Sequence, residues 1–223
     1  MALSDRPLFS RPHQAFLFDM DGTLLNSIAV VERVWAGWAV RHGLEPEVFL
    51  KTVHGIRAVD VIDRLALPGV DSRKEAAGLL AEEMEDVEGI FAIPGAVDFL
   101  NSLPPERWAI VTSAPRALAL RRMQAAGIPQ PEIMVTGEDV SAGKPSPECY
   151  LLGASRLGVD ARQCVVFEDA VAGILAGEAA GAEVCVITAT HASIYETPHF
   201  ATASYEKLRP AAASDGLLTL SHL

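Results

Sequence analysis

The chain has 223 residues, half of them hydrophobic and 21% charged, which is too apolar for a disordered segment and long enough to bury a substantial core. Its formal net charge of -11, from 18 Lys+Arg against 29 Asp+Glu, argues against a nucleic-acid backbone or an anionic membrane surface as the main partner. A small anionic ligand stays open, because a bound metal and one or two local cations can outweigh the global field.

Residues 1–14 contain Asp5, Arg6, Arg11 and His13, so they hold no apolar signal core, and a cytoplasmic location is expected. The apolar run 15–18 then reads as a strand that leads straight into Asp19, Met20, Asp21, Gly22 and Thr23. Residues i and i+2 of an extended chain share a face, so Asp19 and Asp21 can point at one small volume. Two like charges that close need a cation or a shared proton. A hairpin turn at Asp21 and Gly22 is the plainer alternative. It fits poorly, because 16–18 is continuously apolar, as in a strand buried on both faces, and a helical pattern follows.

Ser27 is placed to cap a helix whose apolar residues Ile28, Val31, Trp35 and Trp38 step along one face, with Gly43 as its stop. The stretch 72–88 is rich in Ala, Glu and Leu and reads as a second helix. Pro94 and Gly95 then mark a return to the main domain. About ninety residues separate the first strand from the next, far more than one crossover helix needs, so a module is inserted. The expected organisation is an α/β core over 1–25 and 94–223, a Rossmann-like parallel sheet, with an inserted α-helical cap over 26–93. Trp35 and Trp38 are expected in the core of that cap.

Four further runs rich in apolar and β-branched residues follow, at 108–112, 133–136, 163–167 and 184–188, with helical segments between them, as in βαβ units. The apolar stretch 170–187 is broken by Glu178 and Glu183 and is not a membrane span; its Gly173, Gly177 and Gly181 suit close packing on a sheet. Cys149, Cys164 and Cys185 have no metal-ligand spacing and read as small core residues in a reducing compartment. No heptad run specifies a coiled coil, so a monomer or weak homodimer is expected. Residues 204–223 carry no interpretable motif.

In a doubly wound sheet, ligands sit beyond the carboxyl ends of the strands. There this sequence places Asp19 and Asp21, then Thr112 and Ser113, then Lys144 between Gly143 and Pro145, then Glu168 and Asp169. Taken singly, each has an ordinary use: helix capping for Thr112, Ser113, Glu168 and Asp169, a solvated loop for Lys144. Together, the carboxylates, one ammonium and one hydroxyl suit Mg2+ and a phosphoryl group. The oxygen ligands are hard, and no His or Cys cluster suggests zinc.

These four segments, in this order, resemble the motifs of the haloacid dehalogenase-like phosphohydrolases, and the resemblance runs from residue 15 to 188. Val31, Glu32, Arg33, Val34 and Trp35, the stretch Arg41 to Leu44, and the run 108–113 are similar to the bacterial sugar phosphatases. The fungal 2-deoxyglucose-6-phosphate and glycerol-phosphate phosphatases lie further off. The resemblance implies a phosphatase of small sugar or polyol phosphates that uses Mg2+. Asp19 would be the nucleophile, forming an aspartyl-phosphate, and Asp21 the general acid and base. Asp19, the Asp21 carbonyl, Asp169 and possibly Glu168 would hold the metal. Thr112, the Ser113 N–H and Lys144 would receive phosphate oxygens. His54, Gly55, Ile56 and Arg57 match a cap segment that faces the site in relatives, which makes Arg57 a candidate for the sugar hydroxyls. Arg116 is a weaker anion contact. A phosphoglucomutase-like isomerase is the alternative, although Thr23 follows the phosphatase pattern. A dead-site scaffold and a dehalogenase fit less well, since no expected catalytic group is missing and Asp21 would idle in a dehalogenase.

Overall fold

A computed structural model describes residues 7–193, 196–213 and 216–222. The first strand, β1 (Ala15–Phe18), is wholly buried, and a short strand β2 (Leu25–Asn26) follows it. Four helices come next: α1 (Ile28–Arg41), α2 (Pro46–Phe49), α3 (Ala58–Leu65) and α4 (Ser72–Glu85). The short strand β3 (Phe91–Ala92) pairs antiparallel with β2, Leu25 against Ala92 and Asn26 against Phe91, so the insert leaves and rejoins the core at one place. Helices and strands then alternate: α5 (Ala96–Asn101), β4 (Trp108–Val111), α6 (Arg116–Ala126), β5 (Ile133–Val135), α7 (Glu148–Arg156), β6 (Cys164–Glu168), α8 (Val171–Ala179) and β7 (Glu183–Ile187).

With a further strand, β8 (Phe200–Thr202), these strands form one parallel sheet in the order β5-β4-β1-β6-β7-β8. The chain winds outward from β1 through β4 to β5, then returns to the other side of β1 with β6. That reversal opens a crevice beyond the carboxyl ends of β1, β4 and β6. Alternate residues feed two apolar layers. Phe16, Phe18, Ile110 and Phe167 pack with Phe99 and Tyr205 on one face, the Phe18 and Phe167 rings stacked 4.5 Å apart. Leu17, Val111 and Val166 meet Tyr150, Ala154 and Ala176 of α7 and α8 on the other.

Within the insert, Trp35 and Trp38 are buried against Phe49, and the Trp38 indole donates to Glu75 at 2.9 Å. Ser27 does not cap α1. Its hydroxyl donates to Asp21 instead, and the side chain of Asn26 accepts from the Ile28 N–H. The tail beyond β8 forms a hairpin of β9 (Leu208–Ala212) and β10 (Leu218–His222), whose Leu208, Leu218 and Leu220 complete the aromatic layer. All three cysteines are buried and free. Among the described residues no helix is long and apolar enough to cross a membrane.

Candidate active site

Asp19 follows β1 and remains tied to the sheet, its N–H donating to the Phe167 carbonyl at 2.9 Å. The chain then turns back on itself at Gly22, which has φ +86°. A Cβ at Gly22 would stand 2.0 Å from an Asp169 carboxylate oxygen, so the motif's glycine is required by a residue 147 positions away as well as by the turn. The hydroxyl of Thr23, fully buried, donates to Asp169 Oδ1 at 3.2 Å.

Lys144 precedes a cis proline on the loop after β5, and its ammonium is buried. It donates to Asp19 Oδ1 at 2.5 Å, Glu168 Oε1 at 2.7 Å and the Val111 carbonyl at 3.2 Å. The preceding turn is held by Glu148 at the start of α7, which accepts from the Ser141 N–H and hydroxyl and the Ala142 N–H. Glu168 ends β6 with both oxygens engaged. Oε1 accepts from Lys144 and the Tyr150 hydroxyl, and Oε2 from the N–H groups of Asp169 and Ala170. It therefore serves the capping use the sequence suggested and, in addition, binds the lysine. Gly173 makes room for it: a Cβ there would fall 1.5 Å from Oε1.

Asp19, Glu168 and Asp169 each offer an oxygen within 4.8 Å of the others. Three carboxylates and one ammonium leave two negative charges uncompensated in a buried site. Burial pushes the Asp19 carboxyl up to about 8 despite the pull of Lys144, and Asp169 is raised well above the usual carboxylate range by burial and by Glu168. Lys144 is raised by Asp19 and Glu168, although burial opposes this. A hard divalent cation fits this donor set in charge and in ligand chemistry, and Asp19 and Asp169 are the residues free to hold it.

Asp19, Asp21, Thr112, Ser113 and Asp169 line one cavity under the insert, together with Val31, Trp35 and His54. Thr112 Oγ1 accepts from the Ala114 N–H at 3.1 Å, and the Ser113 hydroxyl donates to the Gly55 carbonyl of the insert at 2.9 Å. Asp21 Oδ1 accepts from the Ser27 hydroxyl at 2.6 Å and from Arg122 Nη1 at 2.9 Å. Burial lowers the pKa of His54, against the pull of Glu32 and Asp21.

Arg57 is the residue the structure places elsewhere. Its five N–H donors meet Asp60 at 2.6 and 2.8 Å and the core carbonyls of Gly137, Val140 and Ser141. It clasps the insert to the loop that carries Lys144 and offers no donor to the cavity. Arg116 likewise faces Glu138, Asp139 and the Met134 carbonyl. Sequence reasoning missed Tyr150, Arg122 and Glu83. Each occupies a buried-face position of its helix, Arg122 beside Leu118, Ala119 and Met123, Glu83 four residues after Leu79, and Tyr150 beside Cys149, Gly153 and Ala154. A polar residue on an apolar stripe was the available signal.

A buried Asp–Lys–Asp cluster thus stands at the switch point of a parallel sheet, beneath a helical insert. The family description for haloacid dehalogenase-like hydrolases matches residues 13–181, and the chain belongs to that family as a phosphoric monoester hydrolase. It is 46% identical over 181 residues to hexitol phosphatase A of Escherichia coli (strain K12), covering 79% of this chain and 83% of the relative. It is 36% identical over 202 residues to glycerol-1-phosphate phosphohydrolase 2 of Saccharomyces cerevisiae, covering 85% of this chain and 80% of the other. A crystal structure of a hydrolase from Pseudomonas syringae superposes with a TM-score of 0.68 at 27% identity, covering 79% of this chain and 85% of that one.

Proposed function

We propose that the chain hydrolyses small sugar or polyol phosphate monoesters through an aspartyl-phosphate on Asp19, with Mg2+ as cofactor. The observation that carries this reading is the buried contact of Asp19 with Lys144 and its neighbourhood with Asp169, in a cavity that Asp21 also lines. The hexitol and glycerol phosphatases among its relatives support the substrate class.

Asp19 attacks phosphorus with the oxygen not held by Lys144, and the leaving alkoxide takes a proton from Asp21. Asp21 then accepts a proton from the water that cleaves the acyl phosphate. Its Oδ1 is fixed by Ser27 and Arg122, so Oδ2 exchanges the proton. Thr112, the Ser113 N–H and Lys144 receive the equatorial oxygens, where charge accumulates. Asp19, the Asp21 carbonyl and Asp169 would hold Mg2+, which would supply the positive charge that offsets the phosphoryl group and the two unpaired carboxylates. Glu168 positions Lys144 rather than the metal.

The insert, 26–93, acts as a cap over the core of 1–25 and 94–223, excluding water and enclosing the leaving group. The enzyme works in the cytoplasm as a monomer or weak homodimer, without nucleic-acid or membrane partners. Phosphate release from a panel of hexose, pentose and polyol phosphates, with and without Mg2+, tests the reading. Asp19→Asn is expected to stay folded and lose turnover; release at the wild-type rate by that variant overturns the nucleophile assignment.

A further inference from the structure

We propose that Glu83 and Arg122 determine specificity, reading hydroxyls on the leaving group beside the ester and disfavouring leaving groups that carry a second negative charge. The inference rests on the phosphatase reading above. Both residues line the cavity that holds Asp19 and Asp21. Arg122 Nη1 is 2.9 Å from Asp21 Oδ1, so the pair adjoins the group that protonates the departing oxygen. The leaving group therefore meets it.

The pair is costly where it stands. Arg122 on α6 is 4% exposed and Glu83 on α4 is 7% exposed. Their helices otherwise bring Leu79, Leu118 and Met123 into the apolar layer. Arg122 Nη2 is 3.3 Å from Glu83 Oε1 without hydrogen-bond alignment, and both Nε and Nη2 donate to nothing. Burial raises the Glu83 carboxyl against the pull of Arg122. Apolar residues would serve a helix contact better than a buried charge pair with unspent donors.

A hydroxyl group in the cavity suits this arrangement, because it donates to the Glu83 carboxylate, while Arg122, whose Nε and Nη2 are closed to solvent, holds that carboxylate's charge in place. An alkyl group in the same place gives the carboxylate no donor, which is how a site built for hydroxyls rejects an analogue lacking them. The charge count gives the second half of the inference. With Asp21 protonated for its role as acid, Arg122 is already balanced by Glu83, so no uncompensated cation there offsets the burial of a carboxylate or second phosphate on the leaving group. A second cavity of about 160 Å³, lined also by Arg57 and Glu138, shares Ala58, Glu83, Ser113 and Pro115 with the first, giving a longer polyol room beyond Glu83.

Three substrates of equal carbon length test this on the full chain with Mg2+: propyl phosphate, glycerol 1-phosphate and 3-phosphoglycerate. Wild-type kcat/KM is expected to favour glycerol 1-phosphate over each of the others by about tenfold or more. Glu83→Gln keeps the shape and removes the charge. It should shrink the glycerol-to-propyl ratio about fivefold or more and raise 3-phosphoglycerate relative to glycerol 1-phosphate. Arg122→Lys, which keeps the charge and loses the fork, should shrink the glycerol-to-propyl ratio too, and it carries the test if Glu83→Gln does not fold. A purely structural role moves all three substrates together. Unchanged ratios in the folded variants overturn the proposal. A wild type with no Mg2+-dependent activity on any of the three, and none beyond Asp19→Asn on the wider panel, overturns the phosphatase reading itself.

Discussion

Replacing Gly22 with Ala tests the geometry of the site most directly. The new Cβ would stand 2.0 Å from an Asp169 oxygen, and ordinary contact begins near 3.4 Å, so the carboxylate must retreat by about 1.4 Å. Misplacement on the order of 1 Å is enough to cost about a hundredfold in rate. The left-handed backbone adds about 1–2 kcal/mol of strain, or roughly 2–8 °C in Tm for a chain of this size. Gly69→Ala is the control, because Gly69 has φ +76° and open space where its Cβ would be. Both variants should lose similar stability in thermal unfolding. Only Gly22→Ala should lose about two orders of magnitude in kcat/KM and need more Mg2+ for half-maximal phosphate release. Turnover by Gly22→Ala within threefold of wild type, at an unchanged Mg2+ requirement, would refute the packing of Asp169 over the turn.

Burial raises the Asp19 carboxyl to about 8 from 3.8, so in metal-free protein the unfolded chain releases that proton first and stability falls as pH rises from about 4 to about 8. In chelator, the stability of wild type minus that of Asp19→Asn should decline across this window, and Mg2+ should flatten it; a level difference in chelator contradicts the assignment. Tyr150→Phe removes a buried O–H donated to Glu168 at 2.9 Å and should cost about 1.5–3 kcal/mol in urea unfolding. A loss below about 0.5 kcal/mol would mean that Glu168 does not depend on that contact. Thr23→Val keeps the shape and removes the donor to Asp169. It should raise the Mg2+ concentration for half-maximal activity about tenfold while leaving the saturated rate closer to wild type, and equal Mg2+ curves would count against it.

The strand ends were legible because buried parallel strands write themselves as apolar runs and because each delivers a polar residue at a fixed place, as Phe18 does before Asp19 and Phe167 before Glu168. What lay across helices was not legible. Arg122 and Glu83 meet only because α4 of the insert lies against α6, and no local pattern states that crossing. Ser27 looked like a helix cap, but the nearby Asp21 carboxylate is a stronger acceptor for its hydroxyl, and Asn26 takes the capping role. Arg57 is expected among substrate hydroxyls from the sequence because His54 to Arg57 matches a cap segment that faces the site in relatives. The pairing with Asp60 three residues on, one helical turn away, directs it toward the core carbonyls. The hairpin of β9 and β10 escaped notice because Pro210 interrupts one arm and its apolar residues pack against a layer formed 200 residues earlier.

Arg57 also bears on how long the chamber stays shut. Lifting the insert breaks its bonds to the carbonyls of residues 137, 140 and 141 together, and those oxygens must be rehydrated before anything enters or leaves. The same bonds brace the stretch of backbone that leads to Lys144. If the insert opens as the proposed cap, admission of a new guest and relaxation of the ammonium would be coupled through this one side chain, remote from the bond being cut.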